Sequence, residues 1–221
     1  RNNNETVAFH EQDPLGGDDP YSASKAASEL IAHSYHQSYF QHKIIPVATY
    51  RAGNVIGGGD WSRNRLIPDI VRAWASKQTL QIRNPIHTRP WQHVLEPVYG
   101  YLKSSEILVK NSSLSGAYNI GPKHNESKSV GDIVLLAKRI LEIPDKTVIT
   151  AENLTQSKES TYLSLDPSKI KDCMNVEGVL DVEKAIQMTL DWYKNYYDGE
   201  DATALIIHDI TQYESFVQDA L

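Results

Sequence analysis

Tyr21 and Lys25 stand four residues apart in the run Asp18-Asp19-Pro20-Tyr21-Ser22-Ala23-Ser24-Lys25. On a helix that spacing puts both side chains on one face, about 6 Å apart along the axis. A lysine ammonium beside a phenol favours the phenolate, so a tyrosine with a free pKa of about 10 could exchange a proton near neutral pH. Spacing alone does not select this pair, because Tyr39/Lys43 and Tyr99/Lys103 repeat it in a chain with 12 tyrosines. Only the surroundings of each pair can separate them.

The element that would carry the first pair is legible. Asp19 suits a helix N-cap and Pro20 the first helical position, and Ala23, Ala26, Ala27, Leu30, Ile31, Ser34 and Tyr35 keep helical spacing to about Gln41. The small residues Ser22, Ala23, Ala26 and Ala27 admit close approach of another helix or of a ligand. A strand over 44–51, with Pro46 near its start, then leads into Ala52-Gly53-Asn54-Val55-Ile56-Gly57-Gly58-Gly59-Asp60-Trp61. Glycines in that place either make a turn or let backbone approach a ligand at the carboxyl end of a sheet. Tyr99/Lys103 falls in a helix over 97–109 among Val98, Leu102, Ile107 and Leu108, which reads as packing. Tyr39/Lys43 straddles a helix end and a strand start, so its members need not share a face.

Further along, Ile67, Ile70, Val71 and Trp74 mark a helix over 67–76, followed by a short strand over 79–83. The stretch 84–93 reads as a polar, aromatic and basic loop, the kind of segment in which recognition residues concentrate. Arg83 and Arg89 could clamp phosphate oxygens, or pair with surface carboxylates. A strand is expected over 116–121, and Ser129 with Asp132 resembles a capping box opening a helix through Leu141. Strands over 147–151 and, at a sheet edge, over 161–165 follow, then a short helix after Asp166-Pro167. An Asp181-capped helix buries Val182, Ala185, Ile186, Thr189, Leu190 and Tyr193, and a last helix covers 201–219. Alternating strands and helices give an α/β chain.

Composition narrows the function classes. At 221 residues the chain can build a sizeable core, and 40% hydrophobic with 23% charged residues is ordinary for a globular protein. A net charge of −6 without any basic cluster argues against nucleic acid. One cysteine, Cys173, leaves no disulfide framework and no cysteine-based zinc site, and the eight histidines form no metal-binding spacing. No membrane-spanning run or signal peptide is evident, so no metal, no membrane and a cytoplasmic location are expected. The opening Arg1-Asn2-Asn3-Asn4-Glu5 reads as a cut through a loop of a longer protein.

Several stretches taken together resemble the extended short-chain dehydrogenase/reductase family, in its nucleotide-sugar dehydratase branch. They are Asp-Pro-Tyr-Ser-Ala-Ser-Lys at 19–25, Arg-Ala-Gly-Asn-Val-Ile-Gly-Gly-Gly-Asp-Trp at 51–61, Arg-Leu-Ile-Pro-Asp at 65–69, Ile-Arg-Asn-Pro at 82–85 and Thr-Arg-Pro-Trp-Gln-His-Val-Leu-Glu-Pro at 88–97. The resemblance extends over nearly the whole chain and implies the C-terminal part of a Rossmann-type fold with its substrate-binding α/β subdomain. The N-terminal dinucleotide-binding half would be missing. Residues 1–58 would be the remaining part of the NAD-binding domain and 59–221 mainly the sugar-nucleotide region, with about 97–120 returning to the Rossmann sheet.

The same resemblance implies roles residue by residue. Tyr21 would be the catalytic base, and Lys25 would lower its pKa while holding the nicotinamide ribose. Main chain at Ala52 and Gly53 would lie near the nicotinamide carboxamide. Asn54 would touch the sugar nucleotide, and Arg65 and Leu66 would line its diphosphate. Ile82, Arg83 and Asn84 correspond to the base region and Arg89 to a phosphate-binding arginine. The implied reaction oxidises sugar C4 with NAD, removes water across C5 and C6, and returns the hydride to C6. The substrate would be a sugar nucleotide, CDP-glucose ahead of dTDP- or GDP-linked sugars, and the enzyme a homodimer joined through the Tyr21 helix. Two departures stand out: the glycine-rich fingerprint and the elimination acid and base have no counterpart here, and neither the Cys173-Met174-Asn175 stretch nor Lys158-Glu159-Ser160 matches the relatives. A related epimerase or decarboxylase, and a non-enzymatic nucleotide-sugar-binding or dimerisation fragment, remain as alternatives.

Overall fold

The structure is a computed structural model that describes residues 7–82, 84–122, 127–144 and 161–220 with the backbone of 148–150. In chain order its first elements are α1 (Pro20–Tyr35), β1 (Ala48–Ala52), β2 (Asn54–Ile56), α2 (Leu66–Ala75), β3 (Leu80–Ile82), β4 (Thr88–Arg89), β5 (Trp91–His93) and α3 (Leu95–Lys110). Then come β6 (Gly116–Ile120), β7 (Lys128–Ser129), α4 (Val130–Ile140), β8 (Val148–Thr150), α5 (Ser168–Met174), α6 (Val182–Tyr197) and α7 (Ala202–Asp219).

The helices start where their caps put them. Asp19 accepts from the Ser22 amide at 2.9 Å and from its hydroxyl at 2.6 Å, which holds the Asp19 carboxyl below the usual carboxylate range. Ser129 and Asp132 form the reciprocal capping box of α4, and Asp181 and Asp201 accept from Lys184 and Ala204 amides at 2.7 and 3.0 Å. The first helix does not stop at Tyr35: a π-helical turn (His36–Phe40) and a 3-10 turn (Gln41–Lys43) prolong it, until Ile44 at φ 56° ends it.

Strands pair two by two. β1 runs parallel to β6, β2 to β5 and β3 to β8, while β4 pairs antiparallel with β7. Gly100 on α3 lets that helix close on β6, since a Cβ there would come within 2.8 Å of Ile120 Cδ1. The main core gathers α2, α4 and α6 around Ile67, Ile70, Val71, Ile133, Ile186 and Leu190. A second cluster, with Tyr118, Ile120, Ile170 and Met174, lies on the β1–β6 pair. Among the described residues no helix is long and apolar enough to cross a membrane, and no group of three or more metal-ligating side chains forms.

Three expectations need correction. The edge strand expected over 161–165 is reduced to isolated bridges of Tyr162 to Thr88 and Leu165 to Phe9. The stretch expected as a loop over 84–93 contains β4 and β5, and the loop expected after β1 contains β2. Each of these strands has three residues or fewer, too short for a periodic signal, and each is made by a partner distant in the chain.

Candidate active site

Tyr21 and Lys25 lie in the first turns of α1, and Lys25 Nζ is 5.7 Å from the centre of the Tyr21 ring. The shared face deduced from spacing is therefore present. Tyr21 is 71% exposed, and α1 has no buried residue. The small-residue stripe is divided: Ser22 and Ala26 are half-buried, whereas Ala23 and Ala27 are exposed with Leu30 and Ile31.

What ties α1 to the sheet is Arg51 on β1. Its Nε and Nη2 donate to the two carboxylate oxygens of Glu29 at 2.7 and 2.8 Å, and Nη1 donates to the Glu11 carbonyl at 3.3 Å. This fork-to-fork pairing raises the Arg51 pKa, the Glu29 hydrogen bond being the leading cause. Glu11 in turn accepts from the Asn119 amide at 2.7 Å, and Asn119, fully buried on β6, donates its side-chain amide to the Phe9 carbonyl at 2.8 Å. Segment 9–11, β1, β6 and α1 thus meet in one polar knot.

Past β1 the backbone brings four further predicted residues together. Gly53 is pressed on Pro90, whose carbonyl a Cβ would approach to 2.4 Å, and the next amide, Asn54, donates to that carbonyl at 2.8 Å. Asn54 pairs in register with Trp91, so Gly53 and Asn54 lie beside Pro90 and Trp91, with Ala52 and Arg89 next to them in the chain. Arg89 donates to the Thr88 carbonyl at 2.9 Å and lies 3.2 Å from the buried His87 Nδ1. Arg65 is exposed at the N-cap of α2, and Leu66 packs partly against the core. Ile82 is 4% exposed and packs within the main core. Asn84 is half-buried and its carbonyl accepts from the His87 amide at 3.2 Å. Arg83 and Lys158-Glu159-Ser160 lie outside the described residues.

The three consecutive glycines have local reasons. A Cβ on Gly57 would come within 2.8 Å of Val94 Cγ1, one on Gly58 within 2.1 Å of the Trp192 ring, and Gly59 has φ +82°. Sequence reasoning missed what holds this loop: Tyr193, which reads as a stripe residue of its helix, and Arg72, which stands outside the apolar stripe of its own. It also missed Glu96, whose Oε1 accepts from the Val179 and Leu180 amides at 3.0 and 2.7 Å.

The arrangement fits one end of a dinucleotide better than the other. An exposed phenol with an ammonium on the same helical face suits a ribose and the ring beyond it. A pyrophosphate needs free amides at a glycine-rich helix start, and at α1, which follows Gly16-Gly17, the Ser22 amide is already taken by Asp19. A cavity of about 290 Å3 at the end of β6, lined by Glu96, Tyr99, Gly121, Ser168 and Lys171, contains none of the predicted site residues.

The family described as GDP-mannose 4,6 dehydratase matches residues 3–197. The CDP-glucose 4,6-dehydratase of Salmonella typhimurium is 36% identical over 214 residues, covering 94% of this chain and 59% of the relative. A dTDP-glucose 4,6-dehydratase of Xanthomonas campestris pv. campestris is 24% identical over 200 residues, covering 86% of this chain and 53% of the relative. Among solved structures, the dTDP-glucose 4,6-dehydratase of Bacillus anthracis in complex with NAD superposes with TM-score 0.73 at 24% identity, covering 88% of this chain and 58% of that one. The UDP-glucuronic acid 4-epimerase of Bacillus cereus, in complex with UDP-glucuronic acid and NAD, gives TM-score 0.74 at 20% identity, covering 87% and 58%. The chain thus spans less than two thirds of the length of these relatives.

Proposed function

This chain belongs to the GDP-mannose 4,6 dehydratase family, and we propose that it is part of an NAD-dependent nucleotide-sugar 4,6-dehydratase that acts on CDP-glucose. The observation that carries the substrate is the 36% identity to a CDP-glucose 4,6-dehydratase over 94% of this chain. The chemistry is supported by the Tyr21–Lys25 face at the start of α1.

In this reading Tyr21 removes the proton from the sugar C4 hydroxyl, and Lys25 holds the ribose and favours the phenolate. Ala52 and Gly53 present main chain to the nicotinamide end. NAD, when bound, supplies a hydride acceptor for sugar C4 and a hydride donor for C6. Loss of water across C5 and C6 needs a separate acid and base, because one group cannot serve both carbons in one pose, and no residue of this chain is assigned to that role. Asn54 contacts the sugar nucleotide, Arg65 and Leu66 its diphosphate side, Arg89 a phosphate, and Ile82 and Asn84 the base through main chain and amide. Arg83 is retained in that group from the sequence. Residues 1–58 and about 97–120 form the dinucleotide-binding part and the remainder the sugar-nucleotide region. The exposed Leu30 and Ile31 of α1 support pairing of two copies through this helix.

The test is product analysis by NMR with the full-length protein. CDP-glucose should give its 4-keto-6-deoxy product, and Tyr21→Phe should lower kcat by about 100-fold or more, the range of general acid–base catalysis. Preference for dTDP-glucose would remove the substrate assignment, and a C4 epimer as the product would remove the reaction.

A further inference from the structure

The loop of residues 57–64 joins β2, which begins at Asn54, to Arg65 and α2. Side chains from two helices hold three successive carbonyls of this loop. Tyr193, fully buried on α6, donates its hydroxyl to the Asp60 carbonyl at 2.6 Å. Arg72 on α2 donates Nη1 to the Trp61 carbonyl and Nη2 to the Ser62 carbonyl, both at 3.0 Å, and also pairs with Asp69. The planar guanidinium fork suits two adjacent carbonyls in a way an ammonium does not. From within, Asp60 accepts from the Ser62 amide at 2.9 Å. Burial pushes the Asp60 carboxyl up, but the Ser62 bonds and the charges of Arg65 and Arg72 outweigh it and leave it lowered.

The loop contains three glycines and would be costly to order without these bonds. It joins the end of β2, the strand that Asn54 opens, to Arg65, and the proposed function places Asn54 and Arg65 on the sugar nucleotide. We infer that Tyr193 and Arg72 are positioning residues of the sugar-nucleotide site: by fixing the carbonyls of Asp60, Trp61 and Ser62 they set where Asn54 stands relative to Arg65 and Leu66. This rests on the function proposed above. Neither side chain touches substrate in this scheme, so their contribution is to binding through preorganisation and not to the proton and hydride steps.

The experiment compares Tyr193→Phe and Arg72→Lys with a matched control in the full-length enzyme. Tyr193→Phe keeps the ring and removes one hydroxyl, and Arg72→Lys keeps the charge and removes the fork. The control is Tyr118→Phe on β6, which removes a hydroxyl that donates to another main-chain carbonyl, that of Leu114 at 2.5 Å. Expected is a rise in KM for CDP-glucose of about three- to tenfold in both test variants, with kcat within about twofold, and no KM change in the control. Unchanged KM in Tyr193→Phe and Arg72→Lys, with Tm falling as in the control, would overturn the inference alone. An equal KM rise in Tyr118→Phe would overturn it as well. If wild type turns over no sugar nucleotide, the proposed function falls and the inference with it. Should Arg72→Lys not fold, Tyr193→Phe decides.

Discussion

His93 closes β5 with a ring that is 1% exposed, and burial pushes its pKa down to about 4 from an ordinary 6.5. Its Nδ1 faces the Leu95 amide at 3.4 Å, in the first turn of α3, so the neutral ring is the one this place accepts. Protonation would remove that acceptor and set a positive charge at a helix N-terminus. Between the two pKa values the unfolded chain binds a proton that the folded chain refuses, so this contribution to stability is complete above pH 6.5 and is lost as the pH falls toward 4. Over that interval the loss is on the order of 3 kcal/mol. His93→Gln should therefore flatten the dependence of unfolding free energy on pH between 6.5 and 4, whatever the variant costs at pH 7. Urea unfolding at a series of pH values measures it, and an unchanged slope would show that other groups carry the acid sensitivity.

Elements in this chain are set by close approach as much as by propensity. Gly58 lies against the face of Trp192, a ring 4% exposed and held edge-on to the fully buried Tyr193, so the ring has little room to yield. Gly58→Ala should destabilise by about 1–3 kcal/mol or more, the cost of overpacking. Gly57→Ala should cost less, because its obstacle is Val94, a side chain 39% exposed and free to turn outward. Denaturant midpoints of the two variants should rank in that order, and a Gly58→Ala midpoint equal to wild type would refute the packing account. The sequence made the long elements legible through caps: Asp19, the Ser129–Asp132 box, Asp181 and Asp201 each open a helix where expected. β2, β4 and β5 were not legible, because two or three residues carry no period and their pairing is decided by distant backbone. The site shows the same division. Tyr21 and Lys25 are legible through the helix start and the glycine-bearing strand end that follows, their spacing being shared with two other pairs, whereas the role inferred for Tyr193 and Arg72 runs through carbonyls, which leave no mark on a sequence.

At the scale of the molecule, Tyr21 and Lys25, the pair proposed to be catalytic, are carried by an element with a weak hold on the rest. The large core belongs to α2, α4 and α6, while α1 buries no residue and is joined to β1 chiefly by the Arg51–Glu29 fork. An element with few buried apolar contacts opens at a free energy well below that of global unfolding. Whatever binds at Tyr21 and Lys25 meets a binding-competent state that is populated only in part, and apparent affinity falls by that fraction. The pyrophosphate of a dinucleotide draws most of its hold from amides at a glycine-rich helix start, and at the start of α1, which follows Gly16-Gly17, the Ser22 amide is already taken by Asp19. Both effects act in the same direction. The polypeptide of these 221 residues, purified under native conditions, is expected to carry no tightly held NAD, and acid release followed by enzymatic assay of the nucleotide measures it. Stoichiometric NAD in that preparation would refute the expectation and would mean that α1 is held more firmly than its exposure implies.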